Sequence, residues 1–173
     1  SAWIQRHFPG VKIVVQPSAA RCFSNEEYSA AGITMQENLE ECTLLFGIKE
    51  VPPELLIPDK TYLIFSHTKK KQAHNRVLLQ AAVCNRISLI DYECLMYEDG
   101  QRIVGFGFFA GLVGAYNGLL AYGKKTGQFS FKPVHACHDL KELAETYFGI
   151  KLPPLKIVIT GSGRVAAGIL EAM

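Results

Sequence analysis

At 173 residues the chain has room for one full domain and little more. Apolar residues make up 49% and charged residues 20%, so a substantial core can be buried, while a formal net charge of +2 is too small to imply a nucleic-acid partner or an anionic membrane surface. Five cysteines (Cys22, Cys42, Cys84, Cys94, Cys137) are odd in number, scattered and without a CxxC pair, which argues against a disulfide framework and for the reduced thiols of a cytoplasmic protein.

The residues before Pro9-Gly10 read as the end of a helix, and Val11–Val15 as a strand. Ser24 with Glu27 makes a capping box for a short helix stopped by Gly32. Ile33–Met35 reads as a short strand, and Cys42–Ile48 as a stronger, continuously apolar one of the kind parallel sheets contain. Thr61–Ser66 is another. Lys70–Val83 is a predicted helix with apolar positions at Ala73, Val77, Leu78 and Ala81, its opening Lys69-Lys70-Lys71 run read as solvated. His74 falls in that helix and reads as a surface residue. Ile87–Ile90 is a further buried strand, Asp99-Gly100 a turn, and Arg102–Val104 a strand end.

Ile103 to Gly123 carries no charge over 21 residues, long enough to cross a bilayer. Six glycines, Asn117 and two tyrosines interrupt it, so Gly105–Tyr122 reads as a helix buried in protein. The pairs Gly107/Gly111 and Gly114/Gly118 would let neighbouring backbones approach, with Asn117 facing other elements. Residues 124–138 read as a loop. Its His135-Ala-Cys137-His138 cluster lacks the spaced partners a zinc site needs, and no metal is expected. Asp139 with Glu142 caps a last amphipathic helix through Phe148, and Leu155–Thr160 is a clean strand.

The alternation of strands and helices predicts an α/β fold: a doubly wound, mostly parallel, Rossmann-like sheet. The chain opens inside a helix and stops just inside a new strand-turn-helix unit. It is therefore expected to be a piece of a longer protein. Residues 1–135 would form a first domain lacking its first strand, 136–154 a connecting helix and loop, and 155–173 the start of a second Rossmann domain.

Two patterns carry chemistry. Gly161-Ser-Gly163-Arg164-Val165-Ala166 follows an apolar strand and opens a helix, the arrangement in which glycines admit a pyrophosphate to a helix N-terminus. Lys49 and His67 stand at the carboxyl ends of two predicted parallel strands, where ligands bind in open α/β sheets. Glu50 adjoins Lys49, and Glu93 follows the Ile87–Ile90 strand. A lysine and a histidine flanked by carboxylates can form an acid-base set, and the pair is expected in one cleft within about 10 Å.

GIKE, FSHTKKKQ, LIDYE and FGFFAGLVG, in that order, resemble the lysine-forming saccharopine dehydrogenases, and still more the lysine–ketoglutarate reductase domain of the bifunctional lysine-degrading enzyme. QPSAARCFSNEEYSAAG and LKIVITGSGRVAAG are similar too, while 120–154 departs from the pattern. The resemblance implies a reversible conversion of saccharopine to lysine and 2-oxoglutarate with NAD or NADP. It makes Lys49 and His67 the acid-base pair, Glu50 and Glu93 the carboxylates that tune it, and Arg102 an arginine near the substrate carboxylates. Gly161, Gly163, Arg164, Val165 and Ala166 would meet the cofactor. A substrate-binding arginine that the family carries on a leading strand has no counterpart here. A small-molecule substrate is expected, with no nucleic acid or membrane partner and a possible homo-oligomer. An alanine dehydrogenase-like enzyme and a non-catalytic module of the same fold are the rival readings. By itself the 173-residue chain is expected to be catalytically silent and to bind cofactor weakly.

Overall fold

In the computed structural model, which describes residues 2–146 and 150–173, all the named strand pairs run parallel. The chain divides into two compact units, Ser1–Val104 and Gly105–Met173. The glycine-rich helix packs with the elements that follow it, in the second unit.

In the first unit, α1 (Ala2–His7) precedes β1 (Val14–Val15), α2 (Asn25–Ala30) and β2 (Thr34–Met35). β1 and β2 pair as a two-stranded sheet. The capping box of α2 forms as the sequence implies: Ser24 Oγ accepts from the Glu27 amide at 3.2 Å, and Glu27 Oε2 accepts from the Ser24 amide at 2.7 Å.

β3 (Leu44–Phe46), β4 (Thr61–Ile64), α3 (Arg76–Cys84) and β5 (Ser88–Asp91) follow, with the strands in the order β3-β4-β5. β4 is central, and burial on both its flanks explains its apolar run; Tyr62 and Ile64 are almost fully buried. Leu56, Tyr62 and Leu78 form the core, with Leu45, Val51, Ala81, Ile87 and Leu89 packed around them. On the edge strand, by contrast, Leu44, Phe46 and Ile48 are 41%, 70% and 67% exposed.

Several expectations are corrected here. The parallel α/β architecture is as expected, but its strands divide between two sheets among the described residues, and all of them except β5 are shorter than the predicted runs. The helix predicted from Lys70 begins at Arg76. Lys71 takes a left-handed backbone (φ 53°) that no α-helix accommodates, so the 3-10 turns Thr68–Lys70 and Ala73–Asn75 replace the first turns. His74 is exposed, in the second of these turns. At Arg102–Val104 there is no strand; a single antiparallel bridge, Met96 to Arg102, closes over the Asp99-Gly100 turn.

The second unit contains α4 (Gly107–Thr126), α5 (Leu140–Glu145) and α6 (Arg164–Glu171). α4 ends where Gly127 turns left-handed (φ 69°). Leu112, Tyr116 and Leu143 form its core with Phe108, Val113, Phe131, Val134, Cys137 and Ala172. The Tyr116 hydroxyl donates to the Lys132 carbonyl at 2.5 Å and lies 2.7 Å from Thr146 Oγ1.

α4 and α6 cross through glycines. A Cβ on Gly111 would lie 2.0 Å from the Val165 carbonyl oxygen, and one on Gly168 would lie 1.8 Å from that of Phe108. Gly107 and Gly111 therefore serve close approach, as expected. Gly114, Asn117 and Gly118 do not: they are exposed, and nothing lies within 4 Å of a Cβ built on either glycine. α4 is buried along one face rather than all round, and no described helix is long and apolar enough to cross a membrane.

Residues 155–160 form no strand. A lone extended segment has no ladder to bond to, and no other strand in the described residues pairs with it. The predicted end of the last helix at Phe148 lies outside the described residues.

Candidate functional site

The carboxyl edge of the three-stranded sheet gathers the ionisable residues. Past β3 and β4, the Gly47 amide still donates to the Leu63 carbonyl at 3.0 Å and the Phe65 amide to the Ile48 carbonyl at 3.2 Å. Lys49 and Glu50 follow directly on one strand, Ser66 and His67 on the next. β4 pairs with β5 through Ile64 and Asp91, so Glu93 emerges beside them on the third.

His67 sits between two carboxylates. Its Nδ1 lies 3.3 Å from Glu93 Oε2 and its Nε2 3.8 Å from Glu50 Oε1. Each ring nitrogen thus faces an acceptor, so either tautomer, and the imidazolium, finds a carboxylate. The backbone of His67 is left-handed (φ 53°, ψ 12°), a conformation costing a non-glycine residue roughly 1–3 kcal/mol unless its surroundings impose it. The Phe65 ring stacks near its imidazole, with centroids 6.2 Å apart.

Glu93 is the hub. Only 3% of it is exposed, and besides His67 it meets Lys70 Nζ at 3.4 Å and Arg102 Nη1 at 3.3 Å, both on Oε1. Burial pushes its carboxyl up, but the His67 bond and the Lys70 and Arg102 charges outweigh that and hold it below the usual glutamate range. Glu93 is therefore a carboxylate at neutral pH, compensated on one oxygen and bonded to the imidazole on the other.

Behind the pair, Ser66 Oγ donates to Asp91 Oδ2 at 2.5 Å, and Asp91 Oδ1 accepts from the Glu93 amide at 2.8 Å. Lys49 is exposed and makes no side-chain hydrogen bond or ion pair with a described residue. The structure thus joins His67, Glu50, Glu93 and Arg102 in one cluster, with Lys49 on the same sheet edge. Sequence reasoning missed Lys70, which sits inside a run of three lysines, and the buried Ser66 and Asp91. The signal for those two was available: each is a polar residue closing an apolar strand.

In the second unit, Gly161 takes φ +85°, a conformation open to glycine, and Gly163 is the N-cap of α6 with nothing within 4 Å of a built Cβ. No side chain caps the helix, so its first amides keep their donors for an anion, which suits a dinucleotide's pyrophosphate. Arg164 Nη1 fills the space beside Gly105 where a Cβ would stand, the Val165 carbonyl packs on Gly111, and Ala166 is buried. Val165 packs the crossing with α4, leaving Gly161 and Gly163 as the open part of the turn.

Residues 5–113 match the family described as alanine dehydrogenase/PNT, N-terminal domain. The chain is 34% identical to the alpha-aminoadipic semialdehyde synthase, mitochondrial, of Bos taurus, over 94% of this chain and 19% of that protein. It is 30% identical to the alpha-aminoadipic semialdehyde synthase of Arabidopsis thaliana (92% and 17%). Against the saccharopine dehydrogenase [NAD(+), L-lysine-forming] of Candida glabrata it is 28% identical (94% and 48%). The chain thus spans about a fifth of the length of the first of these relatives. With the parallel sheet, the cluster at its carboxyl edge and a match over residues 5–113, this chain belongs to the alanine dehydrogenase/PNT N-terminal domain family.

Proposed function

We propose that this chain supplies the acid-base half of an NAD(P)-dependent amino-acid oxidoreductase that reversibly converts saccharopine, water and NAD(P)+ to lysine, 2-oxoglutarate, NAD(P)H and a proton. The observation that carries the reading is the imidazole of His67 held between Glu50 and Glu93 at the carboxyl edge of a parallel sheet. The name borne by the Candida glabrata relative supports the substrate class.

In this reading Lys49 takes the proton of the substrate's secondary amine, and its exposed position leaves it free to meet a ligand. His67 then activates water for addition to the imine, and later returns the proton as the carbinolamine collapses. Glu93, fixed as a carboxylate by Lys70 and Arg102, orients the imidazole through Nδ1 and leaves Nε2 for proton transfer. Arg102 is close enough to share its guanidinium between Glu93 and a substrate carboxylate. Gly161, Gly163, Arg164, Val165 and Ala166 would hold the dinucleotide, which when bound would supply the hydride acceptor. Residues 1–135 would then act as the substrate domain, 136–154 as the connector and 155–173 as the start of the cofactor domain.

The test uses the full-length gene product, with NADH or NADPH oxidation followed in the presence of lysine and 2-oxoglutarate. Lysine-dependent turnover is expected, falling about 100-fold or more in Lys49→Met and His67→Gln variants. Turnover with pyruvate and ammonia but not with lysine would overturn the substrate assignment. The reading includes cytoplasmic residence; import of a tagged gene product into mitochondria, the compartment in the bovine relative's name, would replace it.

A further inference from the structure

We infer that Ser66 and Asp91 form a clamp that positions the His67–Glu93 pair. The inference rests on the acid-base role given to His67 above.

Ser66 is fully buried, and its single hydroxyl hydrogen goes to Asp91 Oδ2 at 2.5 Å. That direction fixes the rest. Thr68 Oγ1, 2.8 Å away, must donate to Ser66 Oγ, and the Thr68 amide donates to the same oxygen at 3.3 Å. The residues on both sides of His67 are thereby tied to one oxygen, in a turn whose left-handed backbone a non-glycine residue does not adopt unaided. The other oxygen of Asp91 holds the amide of Glu93. One carboxylate consequently reaches both partners of the 3.3 Å His67–Glu93 contact, through the residue before His67 and through the backbone of Glu93 itself.

The burial of Asp91 adds weight. It is 8% exposed, and among the described residues no cation pairs with it; its donors are a hydroxyl and an amide. A carboxylate so placed is costly to bury, and a neutral residue could pack the same space. What it supplies here is two acceptor oxygens that lock the ends of two strands into one register. Substrate and cofactor need not touch it, so Asp91 and Ser66 are positioning residues.

The test has two arms, on Ser66→Ala and on Thr68→Val, a milder change that removes one of the donors to Ser66. In the first arm the His67 ring is observed by long-range nitrogen-proton correlation in the 173-residue chain, with melting recorded alongside. The wild type should hold the neutral ring as the tautomer with its proton on Nδ1, facing Glu93. Ser66→Ala should release it to a mixture, and Thr68→Val should shift it part of the way. In the second arm the same variants are made in the full-length protein. There kcat should fall about 10- to 100-fold in Ser66→Ala with the KM for cofactor unchanged, and the acid limb of the pH profile should move. An unaltered tautomer and an unaltered kcat in folded Ser66→Ala and Thr68→Val would overturn the clamp. A wild type without lysine-dependent turnover would defeat the functional reading instead, while the ring signals would still decide whether the clamp exists. If Ser66→Ala fails to fold, the tautomer and pH profile of Thr68→Val decide alone.

Discussion

Replacing Gly168 by alanine sets two effects of opposite sign against each other. Alanine is the better helix former, and on propensity alone the change in α6 should stabilise by about 1 kcal/mol. The crossing with α4 opposes it. The added Cβ would stand 1.8 Å from the Phe108 carbonyl oxygen, 2.8 Å from its carbon and 2.9 Å from the Leu112 nitrogen, all backbone atoms that no rotamer change can withdraw. Restoring ordinary contact needs roughly 1.6 Å of separation, and a gap of even 1 Å forfeits up to half of each dispersion contact across the crossing. Overpacking of this kind costs about 3 kcal/mol or more, leaving a net loss of about 2–4 kcal/mol. Gly114 of α4 is the control. It is exposed with open space around its Cβ, so Gly114→Ala should stabilise by about 0.5–1 kcal/mol. Urea unfolding followed by circular dichroism reports the sign of each change, and hydrogen exchange at α4 amides localises it. A Gly168→Ala chain as stable as the parent would refute the crossing geometry.

The Glu93 cluster predicts a defined acid response. Because its folded-state pKa lies below the ordinary range, its contribution is complete above that range, near pH 4.5, and is lost as pH falls through the depressed value. Glu93→Gln should cost about 1–2 kcal/mol at neutral pH and almost nothing in acid, since its partners Lys70 and Arg102 are half exposed; parallel pH-stability curves for the two proteins would contradict this. Tyr116→Phe should cost about 1–2 kcal/mol, because it leaves the Lys132 carbonyl and Thr146 hydroxyl without the buried phenol, and an unchanged melting temperature would speak against those bonds.

The parts of this architecture that the sequence announces are those where one local cause dominates. Apolar runs bounded by polar residues mark β3, β4 and β5, and the residues that follow those runs, Lys49, His67 and Glu93, share a sheet edge because parallel strands end on the same side. The Ser24–Glu27 box could be read directly for the same reason. The turn from His67 to Lys71 could not, since a non-glycine residue in the left-handed region leaves no mark in composition. Lys70 was hidden by its neighbours: three consecutive lysines look alike whether solvated or, as here, one reaches back to a buried carboxylate. Gly168 lies just past the glycine turn, and nothing in the sequence marks its backbone contact with α4.

The edge strand has a consequence for how the chain behaves in bulk solution. Leu44, Phe46 and Ile48 present an apolar row on a strand whose outer edge pairs with no other strand among the described residues, a surface onto which another extended chain can add. Glu41 and Lys49 flank the run as charged gatekeepers, yet nothing from Cys42 to Ile48 carries charge, and a formal net charge of +2 gives weak colloidal repulsion. Closing β3 onto β4 is a first-order event, whereas pairing between exposed edges is second-order. The share of chains that reach the native sheet rather than an assembly of edges is therefore governed by protein concentration during folding.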